Sequence, residues 1–405
     1  MEVWCVAGYH EFSCIGSACT ASCCKGWRVY IDDPAILRFQ TEPGLLGIRL
    51  RLAMWHGGRL LPLLPESILE QLYGEEGDAT DYINRNSGRC PFLNHKGLCS
   101  LQLKKGADFL PSICRRYPRQ IRRMGERSEL LLDLTCIHAA DLFLKRAVQG
   151  DPRAVVQLLP VTEEAQLTSD EKLLITAPEG EMAGDDPVYL SALLSSRDQW
   201  LSRVAAAETP QELDLVMGQL IRYAAQVQQR LATGGRMDEV SWPSVGDSGS
   251  RSGAACFPFS IMTYHALMQT EIWQPMLQRT SPLLYEYIER YYAYFTDLTE
   301  IEAQRLLTDL VTRLYTIRPQ IHAELRALLL YSILQAFPAA YGDYSLHTHL
   351  LTALLEVDLI LLFAALNADT AGRVDLPQII SVCLRRIRHN EAVRHQCLAV
   401  LYEHL

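Results

Sequence analysis

What the 405-residue chain lacks narrows its class before any motif is read. No two of its cysteines stand in the CxxC spacing that most structural zinc sites use. No GxGxxG turn of the dinucleotide-binding kind occurs either. Basic charge is in deficit: 38 Lys and Arg against 47 Asp and Glu give a formal charge of −9. That balance argues against a general nucleic-acid binder and suits a partner that presents lysines. The opening MEVWCVAGYHEFSC has no basic stretch followed by an apolar one, so it does not read as a signal peptide. The most apolar run, ALLEVDLILLFAAL at 353–366, is shorter than a bilayer requires and carries Glu356 and Asp358. It reads as a buried helix, with no membrane expected. These gaps point to the cytoplasm, where stable disulfides are rare.

What is present is cysteine, unevenly spread. Nine of the twelve fall in the first third, and FSCIGSACTASCCKGW (12–27) alone holds Cys14, Cys19, Cys23 and Cys24. Thiolates are soft ligands, and a bound metal keeps them deprotonated, so clustered cysteines in such a chain read first as metal ligands. On a helix, Cys19 and Cys23 would share one face, and Gly16 would let the chain bend so that Cys14 joins them. A second cluster, GRCPFLNHKGLCS, places Cys90 and Cys99 on either side of a turn at Asn94–Gly97. Cys114 follows in LPSICRRYPRQ, and Cys136 in LLLDLTCIHAADLF. The Cys14-x4-Cys19-x3-Cys23 opening with distant cysteines behind it is closer in style to plant-type iron–sulfur spacing than to a zinc knuckle. Zinc and inert core cysteines are the alternatives.

The rest of the chain is helical in pattern. SALLSSRDQWLSRVAAA, QELDLVMGQLIRYAAQVQQRLA and the long segment ending in LLLYSILQAF repeat apolar residues at three and four. The expected fold is therefore mainly α: a cysteine-rich metal-binding unit over 1–148, then a helical domain over 149–405. QGDPRAVV at 149–156 marks the boundary, and the polar stretch 233–255 reads as a flexible loop.

Four stretches, SCIGSACTASCCKGWRVYID, NSGRCPFLNHKGLCSLQ, FLPSICRRYPR and LLDLTCIHAADL, occur in this order. Together they resemble the bacterial flagellin lysine N-methylases, within a wider superfamily of zinc- or iron-chelating proteins with a CxxxCxxCC-like opening. LLYEYIERYYAYF (283–295) and LRRIRHNEAV (384–393) resemble later blocks of the same family. The resemblance implies methyl transfer from S-adenosylmethionine to surface lysines of flagellin, with a 4Fe–4S cluster as cofactor. Its candidate ligands here are Cys14, Cys19, Cys23, Cys24, Cys90, Cys99, Cys114 and Cys136. Eight exceeds the four a cubane takes, and Cys19, Cys23, Cys99 and Cys114 are favoured for their turns and basic neighbours.

Arg115 and Arg116 are candidates to steady an anionic cluster or grip the donor carboxylate, and Trp27 to cover the cluster or stack on adenine. Arg119, Arg122, Arg123 and Arg127 read as a solvated face. His138, His265, His389 and His395 read as isolated structural histidines. The competing reading is a non-catalytic zinc- or iron-chelating protein. Against it stand more than 250 residues beyond the cysteine-rich part, enough for a substrate-docking body.

Overall fold

The computed structural model describes residues 2–25, 29–56, 59–60, 82–83, 89–150, 152–162, 166–176, 186–242, 259–269 and 281–404. Strands are β1 (Glu2–Val6), β2 (Val29–Tyr30), β3 (Met54–His56), β4 (Arg59–Leu60), β5 (Tyr82–Ile83), β6 (Arg119–Met124), β7 (Arg127–Leu132) and β8 (Leu158–Pro160). The first helices are α1 (Asp33–Thr41), α2 (Gly44–Ala53), α3 (Ser100–Lys105), α4 (Ser112–Arg116), α5 (Ile137–Gln149) and α6 (Ser169–Thr176). Then come α7 (Pro187–Ala206), α8 (Pro210–Ala232), α9 (Ile261–Gln269), α10 (Pro282–Phe295) and α11 (Glu300–Ile317). The last four are α12 (Ile321–Asp343), α13 (Leu346–Asn367), α14 (Leu376–Arg388) and α15 (Glu391–His404). The fold is mainly helical, as the periodicity predicts.

The chain divides into two compact units. The larger takes Met1–Phe12, Arg119–Gln278 and Pro282–Leu405, the smaller Ser13–Pro118 with Arg279–Ser281. The division thus differs from the expected break at 148. The reason lies in strand pairing. β1 runs parallel to β7, from Glu2↔Arg127 to Cys5↔Leu130, so the first residues and the 119–132 hairpin belong to the helical unit.

In the larger unit one sheet has the order β6-β7-β1-β8. Its hairpin turns at Gly125, whose φ of +56° is one that few other residues adopt. Helices α12 and α13 are apolar on nearly every side because other elements surround them. By length and composition α13 is long and apolar enough to cross a membrane, and 89% of its most apolar window is buried in the fold. The run at 353–366 is therefore the C-terminal two-thirds of a longer core helix. Thr209 with Glu212 and Thr299 with Glu302 close capping boxes that start α8 and α11. Of the stretch 233–255, Met237–Glu239 forms a 3-10 turn, and 243–255 lies outside the described residues.

The core of this unit also holds an ionisable side chain. Asp358, in the middle of α13, is fully buried, and the Tyr264 hydroxyl donates to its Oδ2 at 2.8 Å. Burial outweighs that bond and, with the Asp214 carboxylate nearby, holds the Asp358 carboxyl well above the usual carboxylate range. The native state therefore keeps a proton that the unfolded chain gives up near pH 4. The stability this proton provides is complete below that pH and is lost as pH rises toward the native pKa. Asp358→Asn is expected to melt several degrees above the wild type at about pH 8, with the difference shrinking toward about pH 4. Thermal melts across that range check it; equal pH slopes would mean the native carboxyl is ionised.

The smaller unit has a sheet of order β2-β5-β3-β4, paired antiparallel throughout. Its core gathers Phe39, Leu50, Met54, Phe92, Leu101 and Leu110. Asp32 does not cap α1 with its side chain; its Oδ1 instead accepts the Ser112 N–H at 2.7 Å, tying α4 to the start of α1.

Candidate functional site

Seven of the eight candidate ligands lie in the smaller unit. Gly16 takes φ +55°, the bend expected of it, and its N–H donates to Cys14 Sγ at 3.5 Å. The helix that would have aligned Cys19 and Cys23 does not form. A single 3-10 turn, Gly16–Ala18, stops at Cys19, whose backbone is extended. Ser22 Oγ then accepts the Cys24 N–H at 3.2 Å. Short hydroxyl side chains that bond the nearby backbone compete with helix in this way.

The Asn94–Gly97 turn does form. Asn94 Oδ1 accepts the N–H groups of Lys96 and Leu98 at 2.9 and 3.0 Å, and Gly97 has φ +75°. This turn returns Cys99 to pair with Leu93. The Cys90 N–H donates to the Cys24 carbonyl at 2.8 Å. Cys90 is buried in the unit's core, and Cys24 and Cys99 pack against the same core. Burial pushes the Cys99 thiol up, with a smaller contribution from the charge of Cys24. Cys24, Cys90 and Cys99 are thus brought together. Cys14 lies on the loop whose Gly16 would place a Cβ 3.6 Å from Leu98. Cys19 and Cys23 are half-buried in the turns, and Cys14 and Cys114 are exposed. Cys136 sits in the larger unit, buried at the start of α5.

Among the described residues no group of three or more His, Cys, Asp or Glu side chains is arranged to hold a metal ion. As placed, the thiols do not form the four-ligand centre a cubane takes. Arg115 and Arg116 close the last turn of α4, and Arg115 Nη1 reaches the Asp108 carbonyl at 3.4 Å. Trp27 lies outside the described residues.

The larger unit joins two of the sequence blocks, LLDLTCIHAADL and LRRIRHNEAV. The Thr135 carbonyl accepts Ser381 Oγ at 2.7 Å and Arg385 Nε at 2.8 Å. His389 Nε2 stands 3.2 Å from Thr135 Oγ1 and 3.6 Å from Asp133 Oδ2. Asp133 also accepts Gln120 Nε2 at 2.7 Å and the Thr135 N–H at 3.0 Å. Arg388 makes a two-pronged pair with Glu356, at 2.7 and 2.6 Å, and bonds Gln335 Oε1. The Tyr331 hydroxyl bonds both the N–H and the carbonyl of Leu132. Burial lowers the His389 pKa, which favours the neutral imidazole.

His389 is therefore not isolated. Arg122 is the exposed residue of β6, as the solvated-face reading expects, and burial lowers its pKa against the attraction of Asp133. Gln120, which donates to Asp133, gave no signal in the sequence, because an arginine-rich strand hides it.

Comparison with known proteins fits the sequence resemblance. Over 134 residues, 31% of this chain, it is 26% identical to the flagellar biosynthetic protein FliU of Salmonella muenchen, covering 67% of that protein. It is 26% identical over the same length to a lysine-N-methylase of Salmonella typhimurium and to one of Salmonella choleraesuis. The aligned part spans 28% of the length of each methylase. No protein-family profile matches the chain, and no solved structure does.

Proposed function

We propose that this chain is a protein-lysine N-methyltransferase that modifies surface lysines of flagellin in the cytoplasm with S-adenosylmethionine as donor. The similarity to lysine-N-methylases and to a flagellar biosynthetic protein carries the reading. The meeting of two family-like blocks around Asp133 supports it.

In the transfer, the lysine nitrogen attacks the donor methyl, the carbon–sulfur bond breaks, and the sulfonium becomes a neutral thioether. The nitrogen must first shed a proton, and its ordinary pKa of about 10.4 makes that costly. Removing the amine from water, or an acceptor close by, lowers that cost. A His389 kept neutral beside Asp133 is a group of the kind required.

The proposal includes a 4Fe–4S cluster on thiols of the smaller unit. No step is routed through it, because the thiols as placed do not complete its ligand set. Incubating the chain with purified flagellin and donor should add methyl groups to lysines, read by mass spectrometry of flagellin peptides. Unmodified flagellin with both the anaerobically purified and the iron-reconstituted protein would overturn the enzymatic reading. The chelating alternative rests on the Cys24, Cys90 and Cys99 grouping in a unit compact by itself.

A further inference from the structure

We propose that a narrow apolar cavity in the larger unit binds a small monocarboxylate with an apolar body, its carboxylate held by Arg146 at the mouth. This site goes beyond the methyltransferase reading and stands without it.

One face of α5 lines the cavity. Ala139, Leu142, Phe143 and Arg146 follow the i, i+3, i+4, i+7 spacing, so three apolar side chains and one guanidinium form a single stripe. Val6, Leu132, Leu134 and Val155, all buried, complete the apolar wall. The Phe143 and Tyr331 rings meet edge to face within the lining, their centroids 5.1 Å apart. The empty space is about 420 Å³ with the mouth included, within the range of small-molecule pockets.

The interior selects an apolar body. Its deep polar group, the Tyr331 hydroxyl, is committed twice: it accepts the Leu132 N–H at 2.8 Å and donates to the Leu132 carbonyl. A polar group entering beside it would lose water and gain no partner. An alkyl chain or an aryl ring gains by leaving water.

The mouth selects the charge. Arg146 and Glu11, with side chains 34% and 69% exposed, form an ion pair there. Gly8 makes room for it: φ is +88°, and a Cβ at this position would lie 2.8 Å from Arg146 Cζ. Glu11 thus marks where a carboxylate meets the guanidinium, whose planar fork suits a carboxylate in two-pronged fashion. An exposed pair of this kind is held weakly, so an incoming carboxylate can take the place of Glu11.

Calorimetric titration of the full chain with octanoate, octanol and octylamine tests the assignment. Octanoate should bind about tenfold more tightly than octanol, and octylamine more weakly than either. Arg146→Ala should bring octanoate down to the level of octanol. Glu11→Gln, which frees Arg146, should bind octanoate more tightly than the wild type. Ala139→Leu fills the cavity and should bind none of the three; if it does not melt cooperatively, Ala7→Leu, at another lining position, replaces it. Octanol or octylamine binding as tightly as octanoate would overturn the carboxylate assignment. Octanoate binding that survives in the filled variant, or is absent from the wild type, would overturn the site itself.

Discussion

Arg197→Ala is expected to cost the larger unit about 3–5 kcal/mol, a large share of the stability of an ordinary fold. Arg197, on α7, is 2% exposed, and Glu129, on β7, is fully buried. Two parallel hydrogen bonds of 2.9 Å join them. Arg127 Nε adds a third contact to Glu129 at 2.8 Å. Truncating Arg197 leaves a buried carboxylate whose remaining hydrogen-bonded side-chain partner among the described residues is the partly exposed Arg127. That residual partner sets the expectation toward the lower end of the range.

The cost belongs to the unpaired charge rather than to the bond. Replacing both members with apolar residues of similar size, Arg197→Met with Glu129→Leu, should restore most of the stability. Removing one partner of an exposed pair is a useful contrast. Lys145 and Asp141 stand four apart on α5 at 2.7 Å, both in contact with water, and Lys145→Ala should change stability by less than about 0.5 kcal/mol. Urea unfolding of the four proteins gives the comparison. An Arg197→Ala variant within about 1 kcal/mol of the wild type would show that the interior is wetter around Glu129 than its burial indicates.

How much of this was legible beforehand depends on the range of the interaction. Gly16 and the Asn94–Gly97 turn are local: a left-handed glycine and an asparagine that bonds its own neighbours announce themselves within a few residues. The helical bulk was equally plain, since apolar spacing repeats over every long segment. The expected helix through Cys19 and Cys23 failed on a competition that spacing does not show, between helix and local bonds such as that of Ser22. The β6–β7 hairpin was missed because RQIRRM carries three arginines and no apolar alternation to mark a buried face. Asp133 and His389 could not be paired in advance, because Thr135 and His389 are 254 positions apart and only the packed helices join them. Buried polar networks are written into a sequence as scattered residues, each with a bland explanation of its own. Seen together around Asp133, those explanations no longer suffice.

Iron binding is expected to hinge on Cys24, Cys90 and Cys99. These three thiols share one core in the smaller unit, and Cys90 and Cys24 are held together through their backbones as well. As placed the three do not surround a metal, so iron must draw them together, and less chain must be reordered to gather thiols that share one core. Protein purified without oxygen and reconstituted with iron and sulfide should carry about four irons per chain. Cys24→Ser, Cys90→Ser and Cys99→Ser should each reduce that to below about one. Cys383→Ser and Cys397→Ser should leave it unchanged. Both of those thiols lie in the helical core, where burial pushes Cys397 up to about 12 and Cys383 higher still, so neither supplies a thiolate. Alkylation identifies the remaining ligand. Cys14 and Cys114, both exposed, should react first in metal-free protein, and whichever becomes protected on iron loading completes the set. Full iron content in the three serine variants would move the ligands to Cys14, Cys19, Cys23 and Cys114. A colourless, zinc-loaded protein would favour the chelating reading over the enzyme.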